Sequence, residues 1–446
     1  MSHGTTPRRH GTTLWRLLAL LAAVAMVAAA CGDDGDDGDA SGGGGGGGGD
    51  GEFSGQTVEV AAVWSGAEQE AFEQVLDAYE EQTGATVQFT STGDDIATVI
   101  GNRLEGGDPP DVAVLPQPGL MNDLAARDAL QPIEEIAGDA IDENYSEDWR
   151  TLGSVEDTLY GVWFKAANKS TFWYKPEAFE QAGVEVPETW DDLQSAAQTI
   201  SESGVTPLAL AGGDGWTLTD WFENVYLRVA GPEKYDQLVA HEIPWTDPSV
   251  ITSLQHLSDL WSQSDLIIPG SNTMTFPESV TAVFGGDGAM VFEGDFAAGV
   301  IADETDAVVG EDADFFDFPS VDGSEPVVVG GGDLAVLLTE SEAAAELMRF
   351  LASPEAAEIW AEIGGFISPN QNVDTAVYPD DITRRSAEAL VSAETFRFDL
   401  SDLVPSAFGG TPSQGMWQAL QDLLQNPTDV QGTAQKLESA AAAAYR

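Results

Sequence analysis

The 446-residue chain contains one cysteine, four histidines and only 17 basic residues against 76 acidic ones. A lone cysteine, Cys31, forbids an internal disulfide and a thiolate metal cluster. His3 and His10 lie at the N-terminus, and His241 and His256 have no plausible metal set around them, so neither metal nor cofactor is expected. There is no HExxH, GxSxG or GxxxxGK[ST] stretch; Lys169, followed by Ser170, is preceded by Asn168 rather than glycine. The formal charge of −59 becomes −62 from Cys31 onward, because residues 1–30 hold three arginines and no acid. Such a field repels phosphate backbones and anionic headgroups, which argues against nucleic acid as a partner. It favours neutral or cationic ligands without naming one, and it equally fits salt adaptation. With 43% hydrophobic residues, 12 Trp and 19 Phe, a disordered or fibrous chain is excluded. The length allows about two to four domains.

Long apolar runs are also missing, apart from Leu17 to Ala30, which follows Arg8, Arg9 and Arg16. That run is too short for a stable spanning helix but suits the core of a secretory signal peptide over residues 1–30. It ends Ala28-Ala29-Ala30-Cys31-Gly32, which resembles a bacterial lipobox with Cys31 as the lipidated N-terminus, although the position three before it is Ala rather than the commoner Leu. A plain cleavage site with an incidental cysteine is the alternative. Residues 31–55, with Asp33 to Asp39 and Gly42 to Gly49, cannot bury a core and read as a tether.

From Thr57 the chain alternates strand and helix patterns. Thr57 to Trp64, Thr86 to Phe89 and Val112 to Leu115 are strand-like. Between them Phe72, Val75, Leu76 and Tyr79 form one helix face closed by Gly84, and Ile96, Val99, Ile100 and Leu104 form another, ended by Gly106-Gly107. This order predicts parallel strands with crossover helices in an α/β fold. Ligands then sit beyond the carboxyl ends of strands, at Trp64-Ser65-Gly66 and Pro116-Gln117-Pro118-Gly119. Later stripes include Trp190 to Ile200 behind Thr189, and Val430 to Leu437 behind Thr428 as cap.

Ordered blocks along the chain resemble the bacterial family 1 extracellular solute-binding proteins. They are Tyr160-Gly161-Val162 with Phe172 to Phe179 and Thr189-Trp190-Asp191-Asp192-Leu193; Phe284 to Met290 with Gly294; and Phe350 to Ala356 with Gly364 to Asn370. Gly107-Asp108-Pro109-Pro110-Asp111, Leu227 to Asp236 and His241-Glu242-Ile243-Pro244 are similar to the α-glucoside-binding branch. That branch often has a cysteine pair near the places of Leu208 to Leu210 and Met290; this chain has none, which puts the sugar's identity in doubt. The resemblance implies a two-lobed, type II periplasmic-binding-protein-like α/β fold. Residues 56–166 plus 326–375 would form the first lobe, and 167–325 plus 376–446 the second. It further implies a monomeric, lipid-anchored receptor on the outer face of the membrane that closes on a mono- or oligosaccharide and delivers it to an ABC permease. An extracytoplasmic glycoside hydrolase or a non-transporting glycan sensor are the rival readings.

A sugar pocket needs a flat aromatic for C–H faces and polar groups for hydroxyls. Trp64 at the first strand's end is a stacking platform or a packed edge residue. Trp216 follows Gly212-Gly213-Asp214-Gly215, with Asp220 further on, and Gln117 lies after the third strand. Lys165, one of five lysines, sits where the chain first crosses between lobes; it donates to hydroxyls or pairs with a local acid. Glu293 and Asp295 flank Gly294 after a strand, and Asp94 accepts from a ligand or simply caps the second helix. Gly331, within Gly330-Gly331-Gly332, admits a close ligand or serves as a hinge. Trp190, Trp261, Trp360 and Trp417 fall on helical stripes and are expected in the core. If the acid load is salt adaptation, the unfolding midpoint should climb steeply with NaCl concentration; a midpoint indifferent to salt would end that idea.

Overall fold

The computed structural model describes residues 51–393 and 395–446. The expected signal peptide, Cys31 and most of the expected tether lie outside the described residues. The last part of that tether is not free. Phe53 is buried in the first apolar core, and its amide donates to the Thr83 carbonyl at 3.0 Å, because a phenylalanine beside the end of a helix finds apolar cover there.

The three expected strands are β1 (Thr57–Ala62), β2 (Thr86–Ser91) and β3 (Val112–Leu115), with β1 central and parallel to both neighbours. The helix Ala67–Thr83 buries Phe72, Val75, Leu76 and Tyr79 against them. It stops at Gly84, whose φ of 75° is left-handed and lets its amide return to the Glu80 carbonyl. A small ribbon of β4 (Ser154–Val155) and β5 (Thr158–Leu159) precedes β6 (Gly161–Asn168). Two residues later the chain starts β7 (Thr171–Tyr174) in a different sheet.

That second sheet has the order β10-β7-β9-β8, built with β8 (Leu208–Ala209), β9 (Met290–Phe292) and β10 (Asp314–Asp317). The chain then returns to the first sheet as β11 (Val328–Leu337), which runs antiparallel to β3 and β6. Strand β12 (Phe396–Phe398) pairs with the start of β11, so the first sheet reclaims a segment from the 376–446 stretch assigned to the second lobe. Its three residues are too few for a period to be visible in the sequence. Each sheet has a core of its own. Val60, Phe72, Val114, Phe164, Trp360 and Phe366 belong to one, and Phe172, Trp221, Trp245, Leu254, Phe292 and Leu420 to the other.

Local chemistry explains most helix starts. Thr189 and Asp192 form a capping box on the helix Trp190–Glu202. The last helix, Val430–Ala444, is capped by Asp429, which accepts from the Gly432 amide at 3.2 Å; Thr428, expected in that role, turns its hydroxyl to Asn426 instead. Gly330, Gly331 and Gly332 lie inside β11, paired with β6, and are not a hinge ahead of a strand. A Cβ on Gly332 would drive into the Lys165 carbonyl and the Trp163 ring. Gly332→Ala is therefore expected to destabilise the protein by about 1–3 kcal/mol in urea unfolding, the usual range for overpacking; an unchanged midpoint would show that β6 and β11 separate freely.

Candidate functional site

A cavity of about 410 Å³ lies at the carboxyl ends of β1 and β3, where the chain passes between the two sheets. Its lining comes from three places. The β1 exit and the β2–helix turn supply Trp64, Gly66, Glu68 and Asp94, and Gln117 follows β3. The crossing strands supply Lys165, Lys169 and Asp333, and the part of the chain around the second sheet supplies Asp214, Trp216, Phe276, Phe296 and Trp417.

Among the residues nominated from sequence, Trp64, Asp94, Gln117, Lys165 and Trp216 line this cavity, and Asp220, Glu293, Asp295 and Gly331 do not. The second group stands behind the first. Asp220 is 3.3 Å from the Lys169 ammonium, and Gly331 leaves room for the Lys169 stem, since a Cβ there would come within 2.8 Å of it. Asp295 accepts from the Asn168 amide at 2.9 Å and acts on Lys165, while the main charged neighbour of Glu293 is Asp214.

Trp64 is only 2% exposed and meets Phe72, Phe164 and Trp360 edge-on or tilted. It is thus a packed residue that contributes one edge of the cavity wall. Gly66 beside it has φ 58°, which frees the chain to turn into the helix Ala67–Thr83. Trp216 is the more open ring; with Phe276 and Phe296 it forms an edge-to-face aromatic triad, centroids 5.1–5.9 Å apart and ring planes inclined by 61–84°. Trp190, Trp261 and Trp360 are core, as their stripes predict, and Trp417 is buried yet also reaches the cavity. Gln117 is 4% exposed and its Oε1 has no hydrogen-bond partner among the described residues.

Two ammonium groups are fixed at the crossing. Lys165, 2% exposed, pairs with Glu68 from the helix after β1. Burial works against its charge, but Glu68, Asp333 and Asp295 together hold its pKa above the ordinary lysine value. Lys169 pairs with Asp399, Asp220 at 3.3 Å and Asp402 at 3.6 Å, and against burial these keep it well above the ordinary value. Asp399 is the ionised centre of this cluster: despite burial, Lys169 and hydrogen bonds from Glu223 and Asp220 hold its pKa below the ordinary carboxyl value. Burial drives Asp220, Glu223 and Asp402 well upward, so protons as well as Lys169 neutralise the cluster. Lys169, Asp333, Asp399, Asp402 and Glu223 were missed from sequence. Lys169 was noticed only as a Lys-Ser pair without the preceding glycine of a phosphate loop, and the acids are lost among 76.

Asp94 is not a helix cap. It sits in the single turn Gly93–Asp95 ahead of the helix Ile96–Gly106, whose cap position belongs to Asp95. Burial, then Asp214 across the cavity, then Asp95 push its pKa up to about 7. Asp214 accepts from the Phe276 amide at 2.6 Å, and burial raises it.

These shifts set a sign for stability. Burial takes Asp94 and Asp295 to about 7 and Asp333 to about 6, so they keep protons that the unfolded chain gives up from about pH 4 upward. The unfolded state binds fewer protons through that window, and stability falls as pH rises from about 4 to 7. The ligand-free protein is therefore expected to melt higher at about pH 5 than at about pH 8, and Asp94→Asn should reduce the difference; a midpoint that climbs with pH would contradict the assignment.

Comparison with known proteins agrees with this architecture. Residues 64–358 match the family model described as bacterial extracellular solute-binding protein. The osmoprotective compounds-binding protein GgtB of Synechocystis sp. is 35% identical over 377 residues, covering 82% of this chain and 89% of that one. The alpha-glucosides-binding periplasmic protein AglE of Rhizobium meliloti is 32% identical over 405 residues, covering 86% and 87%. Among solved structures, the solute receptor AcbH, described as exclusive for β-D-galactopyranose, superposes with a TM-score of 0.77 at 21% identity over 88% of this chain and 100% of that one. A chitin oligosaccharide binding protein gives 0.76 at 21%, covering 87% and 98%. These structures share the type II solute-binding fold. The chain belongs to the bacterial extracellular solute-binding protein family, and it is an extracytoplasmic binding protein rather than an enzyme.

Proposed function

We propose that this protein captures a carbohydrate, an α-glucoside or a similar small oligosaccharide, and delivers it to an ABC permease. In this reading Cys31 is lipidated after removal of residues 1–30 and anchors the body to the outer face of the membrane. The two sheets with their separate cores are the two lobes of a clam that closes on the ligand about β6, the link into β11 and the turn after β12.

The observation that carries the reading is the composition of the cavity wall. About 410 Å³ is within the usual range for a small-ligand site. Aromatic rings at Trp64, Trp216, Phe276 and Phe296 offer faces and edges to C–H surfaces, and Asp94, Gln117, Asp214 and Asp333 offer acceptors to hydroxyls. The unpaired Oε1 of Gln117 wants a donor, which a hydroxyl supplies. The relative named for alpha-glucosides supports a small polyhydroxylated ligand. A charged hydrogen bond to a hydroxyl contributes about 1.5–3 kcal/mol, so two such bonds supply about 3–6 of the roughly 8 kcal/mol that micromolar binding requires, and burial of the ligand's C–H faces on the rings supplies the remainder.

Calorimetry with trehalose, sucrose and maltose is expected to find one site of micromolar or tighter affinity for at least one of them. Trp216→Ala should weaken that binding by at least about tenfold. Absence of heat with every neutral sugar in a wider α- and β-glycoside panel would overturn the reading.

A further inference from the structure

The cavity's charges are unevenly balanced. On the crossing side, each lysine is matched by several carboxylates: Lys165 by Glu68, Asp333 and Asp295, and Lys169 by Asp220, Asp399 and Asp402. On the other side, Asp94 and Asp214 face one another from separate sheets' territories, and no described lysine or arginine forms an ion pair with either. Asp214 uses one bond, from the Phe276 amide, and Asp94 accepts none among the described residues. Behind Asp214 stands Glu293, 2% exposed, with its Oε1 unpartnered and Asp214 as its largest charged neighbour. The one described cation that acts on this row is Lys169, which lowers Glu293 but is already paired with Asp399, Asp220 and Asp402; burying the row with so little counter-charge is costly, and a proton or a ligand cation relieves it.

A second feature lies against the same wall. Phe276, whose amide holds Asp214, belongs to the aromatic triad and is among the residues that line the cavity. Lys165 lies 5.3 Å from the Phe296 centroid and Lys169 5.7 Å from that of Trp216, whereas no described cation lies over Phe276. An aromatic face beside unpaired carboxylates is the chemistry that holds an ammonium group.

We infer that the Asp94–Asp214 edge of the cavity, with Phe276 beside it and Glu293 behind, is a cation subsite, so that a sugar carrying a protonated amine is held more tightly than its neutral parent. The inference rests on the sugar-binding reading of this cavity and extends the ligand class from neutral polyols to amino-substituted ones. A neutral sugar fills the same edge with hydroxyls that donate to the two carboxylates. An ammonium group donates to them and also brings the missing charge.

The test is calorimetry at neutral pH on the intact mature protein. Each neutral sugar that binds is compared with its mono-amino-deoxy counterparts and with their N-acetyl forms, which keep the substituent but lose the charge. At least one amino position should bind about tenfold tighter than its parent, and acetylation should remove the gain. Asp94→Asn and Asp214→Asn, each checked for a native melting transition, should bring the amine-to-parent ratio close to one. Amines that bind no tighter than their parents overturn the subsite and leave the sugar reading standing. A preference that survives both substitutions also overturns it. Binding of amines without any neutral parent upholds the subsite and overturns the neutral-sugar reading, and binding of neither class overturns both.

Discussion

Two buried ammonium groups at the crossing between the sheets hold the remainder of the structure in register. Lys165 and Lys169 lie four residues apart, the first in β6 and the second in the step from β6 to β7, and each is reached by carboxylates from distant parts of the chain. Glu68 comes from the helix after β1, Asp333 from β11, Asp220 from the helix Gly215–Ala230, and Asp399 and Asp402 from the turn after β12. Removing one partner from a buried ion pair commonly costs about 3–5 kcal/mol, because the other charge is left without compensation. Every segment that passes between the sheets is thereby tied to one of two points. The glycines of β11 are part of the same constraint: side chains there would displace the Lys165 carbonyl and the Lys169 stem.

This arrangement has a consequence for what the cavity can hold. Both lysines line it, yet neither has charge to spare, so an anionic ligand finds no unpaired cation. The polar and aromatic groups that remain on the wall are mainly rings, carboxyl groups and the Gln117 amide. That combination matches hydroxyl-bearing ligands by hydrogen bonding and positively charged ones by charge, and it disfavours phosphates and carboxylic acids. The net charge of −59 acts in the same direction at long range.

Legibility in the sequence followed the range of the signal. Strands and helices with a period, such as β1 to β3 and the stripe Phe72 to Tyr79, were plain because burial on one face repeats locally. Gln117 and Trp216 were found because they end a strand or follow a glycine loop, and ligands gather at such ends. Lys169 was visible only as a failed phosphate loop, since its three acidic partners lie 51 to more than 200 residues away. Strand β12 escaped for a similar reason: three residues carry no period, and its pairing with β11 is a tertiary fact. Asp94 was ambiguous because an aspartate before a helix is usually a cap; the extra turn Gly93–Asp95 moves it off the cap position and into the cavity.

The scarcity of basic residues makes their placement informative. In a chain with 76 acids and five lysines, several basic groups do what surface charge requires: Arg103, Arg150, Arg349, Arg384, Arg397, Lys234 and Lys436 form partly exposed pairs with nearby acids. Such pairs contribute little, about 0–1 kcal/mol each, but they relieve a self-repelling surface. Lys165 and Lys169 do not serve that surface. Each costs desolvation to bury, and each is surrounded by more carboxylate than one ammonium can neutralise, so the surplus is carried by protons on groups such as Asp220, Glu223 and Asp402. A site poised in this way, with acids held close to neutrality by burial rather than by paired cations, is sensitive to whatever positive charge or hydroxyl donor enters it. Recognition and fold stability therefore depend on the same few carboxyl groups.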